Sequence, residues 1–164
     1  MSAGAVVVGI VRRADPPSVA EARAGFLEAV RARFSLRGQW RAAVHLFLAD
    51  GRELVLAPTR GASKDEFAEA CVAIARGAPG VTLAAFASES WAVRTEALHG
   101  EEAPADSPFR EEILLVQLEQ PGGAFEALWI PILREEGRPP RLGEAQAMEP
   151  TAFNRFRLFA RTDA

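Results

Sequence analysis

The hydrophobic pattern near the start of the chain changes from a continuous apolar run to a helical spacing. Residues 5–11 (AVVVGIV) are apolar without interruption, which predicts a buried strand. Ser18 and Glu21 then form an S-x-x-E capping box, the sequence signature of a helix start. Apolar residues follow at every fourth position: Ala22, Phe26, Val30 and Phe34. This spacing predicts a helix that packs one face against a sheet.

A second capping box, Ser63 with Glu66, predicts a second helix that ends near Gly77. Its apolar positions share one helical face: Phe67, Ala70, Cys71 and Ile74. Cys71 therefore lies on the buried side of the predicted helix, where a thiol is ordinarily inert.

Two hairpins are indicated by apolar runs that flank turn residues. Residues 44–56 contain Asp-Gly at positions 50–51 between two such runs, which is a strong hairpin signal. Residues 113–133 repeat the arrangement around Pro-Gly-Gly at 121–123. Pro131 cannot donate a ladder hydrogen bond, so we expect it at a sheet edge or a bulge.

The longest strand candidate, residues 81–94, is followed by the most polar part of the chain. A strand of this length predicts a bulge or bend, because it exceeds the usual strand. Residues 95–112 hold six acidic residues and one arginine, and they predict an acidic mobile loop. Near the C-terminus, phenylalanines at every third position predict a short docking helix: Phe153, Phe156 and Phe159.

The order of these elements, with hairpins in place of regular strand–helix alternation, predicts the fold class. We expect residues 1–164 to form a single globular α+β domain. Its sheet would be mainly antiparallel with about five to six strands, and two to three helices would pack on one face.

Composition narrows the functional classes. The chain has 164 residues, 49% of them hydrophobic, and a formal charge of −3, which argues against binding nucleic acid through the whole surface. A single cysteine cannot form an intramolecular disulfide, and no secretory signal opens the chain, so we expect a cytoplasmic protein without membrane association. Standard nucleotide and zinc motifs are missing, and we expect no cofactor and no metal.

The side chains that usually perform catalysis are scarce: two histidines, one cysteine, one lysine and no tyrosine. Glu89 interrupts the apolar positions of its strand, so it is a catalytic candidate as a base, with Arg94 as anion anchor and His99 as acid. The alternative is that a bulge turns Glu89 outward or that an arginine pairs with it. A metal site from His99 and neighbouring carboxylates matches no ligand spacing, and His45 lies in a strand-like run.

The leading hypothesis is a non-catalytic domain that self-associates or binds a protein partner. Trp91, Arg94 and Trp129 are its candidate binding residues, because tryptophan and arginine are enriched at interfaces. One alternative is a small enzyme or ligand-binding protein with a pocket near Glu89 and His99. A further alternative is binding of single-stranded nucleic acid through the C-terminal segment, with these candidates: Arg155, Phe156 and Arg157.

Overall fold

The computed structural model describes residues 4–93, 108, 110–148 and 157–159. The elements, in chain order, are β1 (Ala5–Arg12), α1 (Val19–Arg37), β2 (Ala43–Leu48), β3 (Arg52–Pro58), α2 (Lys64–Gly77), β4 (Val81–Ala92), β5 (Glu111–Glu119), β6 (Phe125–Leu133), β7 (Arg141–Leu142) and β8 (Gln146–Met148). The α+β class and the antiparallel sheet predicted from the sequence are confirmed.

The sheet is larger than predicted. Its strands lie in the order β1-β3-β2-β4-β5-β6-β7, β8 also pairs with β6, and all these pairs are antiparallel. The described part of the chain thus has eight strands rather than five to six, and two helices. The additional strands, β7 and β8, are two and three residues long, too short to show a periodic pattern.

Both helices begin where the capping boxes predicted. The Ser18 hydroxyl accepts from the Glu21 amide while the Glu21 carboxylate accepts from the Ser18 amide, and Ser63 and Glu66 repeat this exchange at α2. The α1 helix ends at Gly38, whose φ of 66° is left-handed and therefore suits glycine. Local chemistry alone accounts for these boundaries.

The prediction that the helices pack on one face is wrong, because α1 and α2 lie on opposite faces of the sheet. One core cluster gathers under α1: Ala22, Phe26, Val30, Phe34, Phe47, Leu83, Ala85, Ala87, Leu114, Val116, Leu118, Leu128, Ile130 and Ile132. Another gathers under α2: Ala5, Val44, Leu46, Leu48, Leu56, Phe67, Ala70, Cys71, Val72, Ala75, Ala84, Phe86 and Leu158. The central strands β2 and β4 are apolar at consecutive positions because both of their faces are covered.

The predicted bulge in the long strand is present near its start. Phe47 pairs with Leu83 and Leu48 pairs with Val81, which leaves Thr82 as the extra residue of β4. The Thr82 hydroxyl donates to the Phe47 carbonyl at 3.1 Å. The bulge therefore lies well away from Glu89, which keeps its register opposite Leu114.

The second predicted hairpin, β5–β6, is confirmed, and its first strand begins earlier than expected. β5 starts at Glu111, inside the segment predicted as an acidic loop, while residues 94–107 and 109 lie outside the described residues. Of the phenylalanines predicted to form a C-terminal helix, Phe153 and Phe156 also lie outside them. The described C-terminal residues 157–159 are irregular rather than helical.

Candidate functional site

The strand β1 is an exposed sheet edge, so the prediction that residues 5–11 form a buried strand is wrong about burial. β3 is its neighbour on one side, and no described strand pairs with its other side. Its large apolar residues are exposed, with Val8 at 60% and Ile10 at 65%, and the others are Val6, Val7 and Val11. The run resembles a buried strand in sequence, but its position in the sheet leaves it open to solvent.

The helices leave much of β1 uncovered. The α1 helix packs against β4 and β7, away from the β1 edge of the sheet, whereas α2 packs against β1 and β3. On the α1 face, Val6 lies opposite Ala57 and Val11 opposite Glu53 in β3. Both valines are nearly half exposed, which makes this an apolar surface at the rim of the sheet.

A bulge divides β1 into two halves. Val7 pairs with Leu56 and Gly9 pairs with Val55, so Val8 is an extra residue without a counterpart in β3. The ends of the strand are fixed by two hydrogen bonds: the Thr59 amide donates to the Gly4 carbonyl at 3.2 Å, and the Arg13 amide donates to the Gly51 carbonyl at 3.0 Å. These bonds set which backbone groups of β1 face β3 and which face the free edge.

The opposite edge of the sheet is protected. Along the outer side of β6, the short strands β7 and β8 pair with residues 132–133 and 127–129 respectively. Pro131 falls in the gap between them, consistent with the predicted edge or bulge, and its carbonyl accepts from the Gly143 amide at 2.8 Å. Short strands and proline are common means of preventing edge-to-edge pairing. The two edges of this sheet therefore differ in their capacity to take up another strand.

A buried histidine and a half-buried glutamate join β2 to β3, the strand next to β1. His45 is 5% exposed, and its Nδ1 lies 2.7 Å from the Glu53 carboxylate. A carboxylate only accepts, so Nδ1 carries the proton, while the buried Nε2 has no hydrogen-bond partner among the described residues. The hydrogen bond from His45 is the largest cause that lowers the pKa of Glu53, burial opposes it, and the charges of Arg13 and Arg33 lower it further.

A fully buried carboxyl group, Glu119 at the end of β5, holds the C-terminal segment. It accepts from the amides of Leu158 at 2.6 Å and Phe159 at 3.0 Å, and from Arg157 Nε at 3.4 Å. Beside it lies a cavity of about 10 Å³, roughly the room of one water molecule, lined by Val44, Ala84, Ala85, Phe86, Gln117, Glu119 and Leu158. These hydrogen bonds give the Glu119 carboxyl group a structural role, which is to hold residues 157–159 against the sheet.

Glu89, the predicted base, is exposed, so the expectation that it interrupts a buried face is wrong. Its carboxylate accepts from the Trp40 amide at 2.6 Å, and its charge contributes to raising the pKa of Arg134, whose largest cause is the hydrogen bond to Glu112. Because α1 ends at Arg37, the chain beyond it passes this end of β4 and supplies that amide. Arg94 and His99, the other members of the predicted pocket, lie outside the described residues.

The two tryptophans predicted to bind a partner lie on opposite faces of the sheet. Trp91 pairs across from Glu112, is partly exposed, and has the Arg110 guanidinium 4.8 Å from its ring centroid. Trp129 pairs across from Leu115 on the other face and, like Met148, packs against a small core cluster: Ala92, Ile113 and Leu115. The structure therefore does not bring them into one surface.

Of the predicted nucleic-acid residues, the structure describes Arg157, while Arg155 and Phe156 lie outside it. The Arg157 guanidinium lies 4.1 Å from the ring centroid of Phe125, and its Nε contacts Glu119. Arg157 thus contacts residues of β5 and β6 in the sheet.

Sequence reasoning missed two informative features, and one of them had a partial signal. The Asp-Gly hairpin places residues 45 and 53 on adjacent strands, so a pair between His45 and Glu53 was foreseeable. The exposure of β1 had no comparable signal, because an uninterrupted apolar run is typical of central strands.

Comparison of the chain with protein-family models, with curated proteins and with solved structures gave no match. Among the residues that the structure describes, no cluster of three or more histidine, cysteine, aspartate or glutamate side chains could hold a metal ion. Neither described helix combines the length and the apolar character needed to span a membrane.

Proposed function

We propose that this chain is a non-catalytic protein-interaction domain that self-associates through the free edge of β1. The observation that carries the proposal is the exposure of five large apolar side chains along β1, whose outer side no described strand pairs with; the exposure is most extensive at Val8 and Ile10. An edge strand also presents unpaired backbone amides and carbonyls, which form a template for another strand. Adding a strand would satisfy those groups and remove apolar surface from water.

The residue content of β1 supports this role. Natural edges are often blunted by lysine, proline, an inward-pointing charge or a β-bulge; residues 5–11 contain none of the first three, and the bulge at Val8 is the one such feature of this strand. Contiguous exposed apolar surface of this kind commonly marks an interaction site. Burial of such surface contributes about 25 cal/mol per Å², so an apolar edge favours association more than a charged one would.

A lysine at Ile10 is expected to weaken self-association by at least about tenfold, equivalent to ~1.4 kcal/mol. The ammonium group would have to be desolvated against the apolar partner strand, and strand edges with lysine resist pairing. Light scattering over a concentration series would give the molar mass of the wild type and of Ile10→Lys. We expect an oligomer for the wild type and a shift toward the monomer for the variant.

Two control variants distinguish β1 from other surfaces. Leu36→Lys places the same charge on another exposed apolar residue, 85% exposed on α1, and should leave the mass unchanged. Trp91→Ala tests the surface that composition suggested and should also leave it unchanged. A monomeric wild type at high micromolar concentration contradicts the proposal, as does an oligomer that Trp91→Ala disrupts and Ile10→Lys does not.

A further inference from the structure

We infer that the occupant of the free edge is the β1 strand of a second copy, paired antiparallel about a two-fold axis between Val8 and Gly9. This inference rests on the proposed self-association and adds its partner, orientation and register. In this arrangement residue i of one chain lies opposite residue 17 − i of the other. Two sheets would join into one through identical strands.

The backbone of β1 defines which groups are available to the partner. The amide and carbonyl groups of successive strand residues point alternately to either side. The Gly4 carbonyl and the Arg13 amide both bond toward β3, and the bulge at Val8 shifts the alternation between them. Counting inward from each end leaves these residues facing the free edge: Ala5, Val7, Ile10 and Arg12.

The bulge selects the register. Because Val8 is an extra residue, Val7 and Ile10 are three positions apart, whereas outward-facing residues of a regular strand are two apart. With the axis between Val8 and Gly9, the three-residue spacing in one copy lies opposite the same spacing in the other. Val7 then lies opposite Ile10 of the second copy, and Ala5 lies opposite Arg12. A shift by two residues in one direction would instead oppose Val7 to the bulge residue Val8, and in the other direction it would oppose Ile10 to Gly9, which faces β3.

The same register pairs apolar side chains on both faces of the joined sheet. Val7 and Ile10 both lie on the α2 face, because their partner Leu56 belongs to the cluster under α2 and their partner Leu54 packs against it. Val6 and Val11 lie on the α1 face, and each would meet the other in the second copy. Each of these four exposed residues thus gains an apolar neighbour across the two strands.

Charge favours the antiparallel orientation over the parallel one. Arg12 ends the strand and Arg13 follows it, while the first half of β1 carries no charge. Parallel pairing would place each Arg12 beside its equivalent, and like charges directly opposite are destabilising. Antiparallel pairing separates the two by seven residues, about 24 Å at the rise of an antiparallel strand.

A two-fold pairing of one edge also closes the assembly. Each copy uses β1 once, and the opposite edge of the sheet carries the short strands β7 and β8. An isologous contact of this kind produces a dimer rather than an open filament. The assembly expected from light scattering is therefore a dimer.

Disulfide formation between β1 strands tests the register. In the double variant Val6→Cys/Val11→Cys, position 6 of one copy would lie opposite position 11 of the other, about 4.5–5.5 Å apart between Cα atoms, within the range of a disulfide. Within one chain the two positions are about 17 Å apart, too far to bridge. Cys71, the native cysteine, is fully buried and should not interfere.

After mild oxidation, a non-reducing gel should show the double variant chiefly as a covalent dimer, with the single variants and Leu36→Cys chiefly monomeric. Cross-linking by Val6→Cys alone as strong as by the double variant would overturn the antiparallel orientation. A dimeric mass without cross-linking of the double variant would overturn the register and leave the self-association standing. A monomeric wild type in light scattering would overturn the self-association and the pairing with it.

Discussion

Replacing Glu119 with alanine is expected to lower the free energy of unfolding by about 3 kcal/mol and to release residues 157–159 from the sheet. The side chain is 3% exposed and accepts hydrogen bonds from the amides of Leu158 and Phe159. Alanine would leave both donors without an acceptor in a buried setting. The chain can meet that cost by detaching the segment, which then loses the burial of Leu158.

Urea unfolding measures the loss of stability, and limited trypsin digestion reports release of the segment through faster cleavage after Arg157. Glu28→Ala is the matched control, because Glu28 is an exposed glutamate on α1 and its loss should change stability by no more than about 0.5 kcal/mol. A Glu119→Ala protein with wild-type stability and unchanged digestion would refute the anchoring role.

The coupling between Glu119 and Leu158 can be measured directly. In a protein that already carries Leu158→Ala, the additional cost of Glu119→Ala should be smaller than in the wild type, because both changes act through the same docked segment. Additive costs would indicate that the carboxyl group stabilises the sheet independently of the segment.

Replacing Glu53 with alanine is expected to cost about 3 kcal/mol at neutral pH, and this cost should shrink in acid. The variant leaves the buried His45 ring without a partner at either nitrogen. In the folded wild type the pKa of Glu53 lies below its ordinary value of 4.5, chiefly because His45 donates to it. The stabilisation is therefore complete above the unfolded pKa and is lost as the pH falls through the folded pKa.

Urea unfolding of the wild type and of Glu53→Ala at pH 7 and at progressively lower pH measures this difference. Other carboxyl groups with a lowered pKa, among them Glu112 and Glu126, also weaken the fold in acid, and subtraction of the two proteins removes their contribution. Glu53→Gln keeps an acceptor oxygen without the charge and should be less destabilising than Glu53→Ala at neutral pH. A cost that stays constant down to about pH 3 would contradict the assignment.

Local elements were predictable because their causes lie within a few residues. The capping boxes at Ser18 and Ser63 and the Asp-Gly turn depend on hydrogen bonds and backbone preferences of adjacent residues, and the structure places all of them as expected. The length of the 81–94 run likewise predicted a bulge, although the partner strand placed it at Thr82.

The surroundings of the candidate site residues were harder to predict from the sequence. The apolar neighbours of Glu89 at alternate positions left open whether its side chain is buried or turned outward, because its burial depends on what covers that end of β4. Trp91 and Trp129 were both candidate binding residues, and only the register of their strands shows that they lie on opposite faces. Both questions concern a relation between elements rather than an element itself.

By itself, the sequence determined the α+β class, the antiparallel hairpins and the start of each helix, since short-range hydrogen bonding and hydrophobic periodicity decide these. The tertiary structure alone decided that the helices cover opposite faces and that residues 5–11 form an uncovered edge. An apolar run has the same pattern whether a strand lies at the centre of a sheet or at its rim. The order of strands, which arises from long-range packing, makes the difference, and it turns an apparently buried strand into the surface proposed here for self-association.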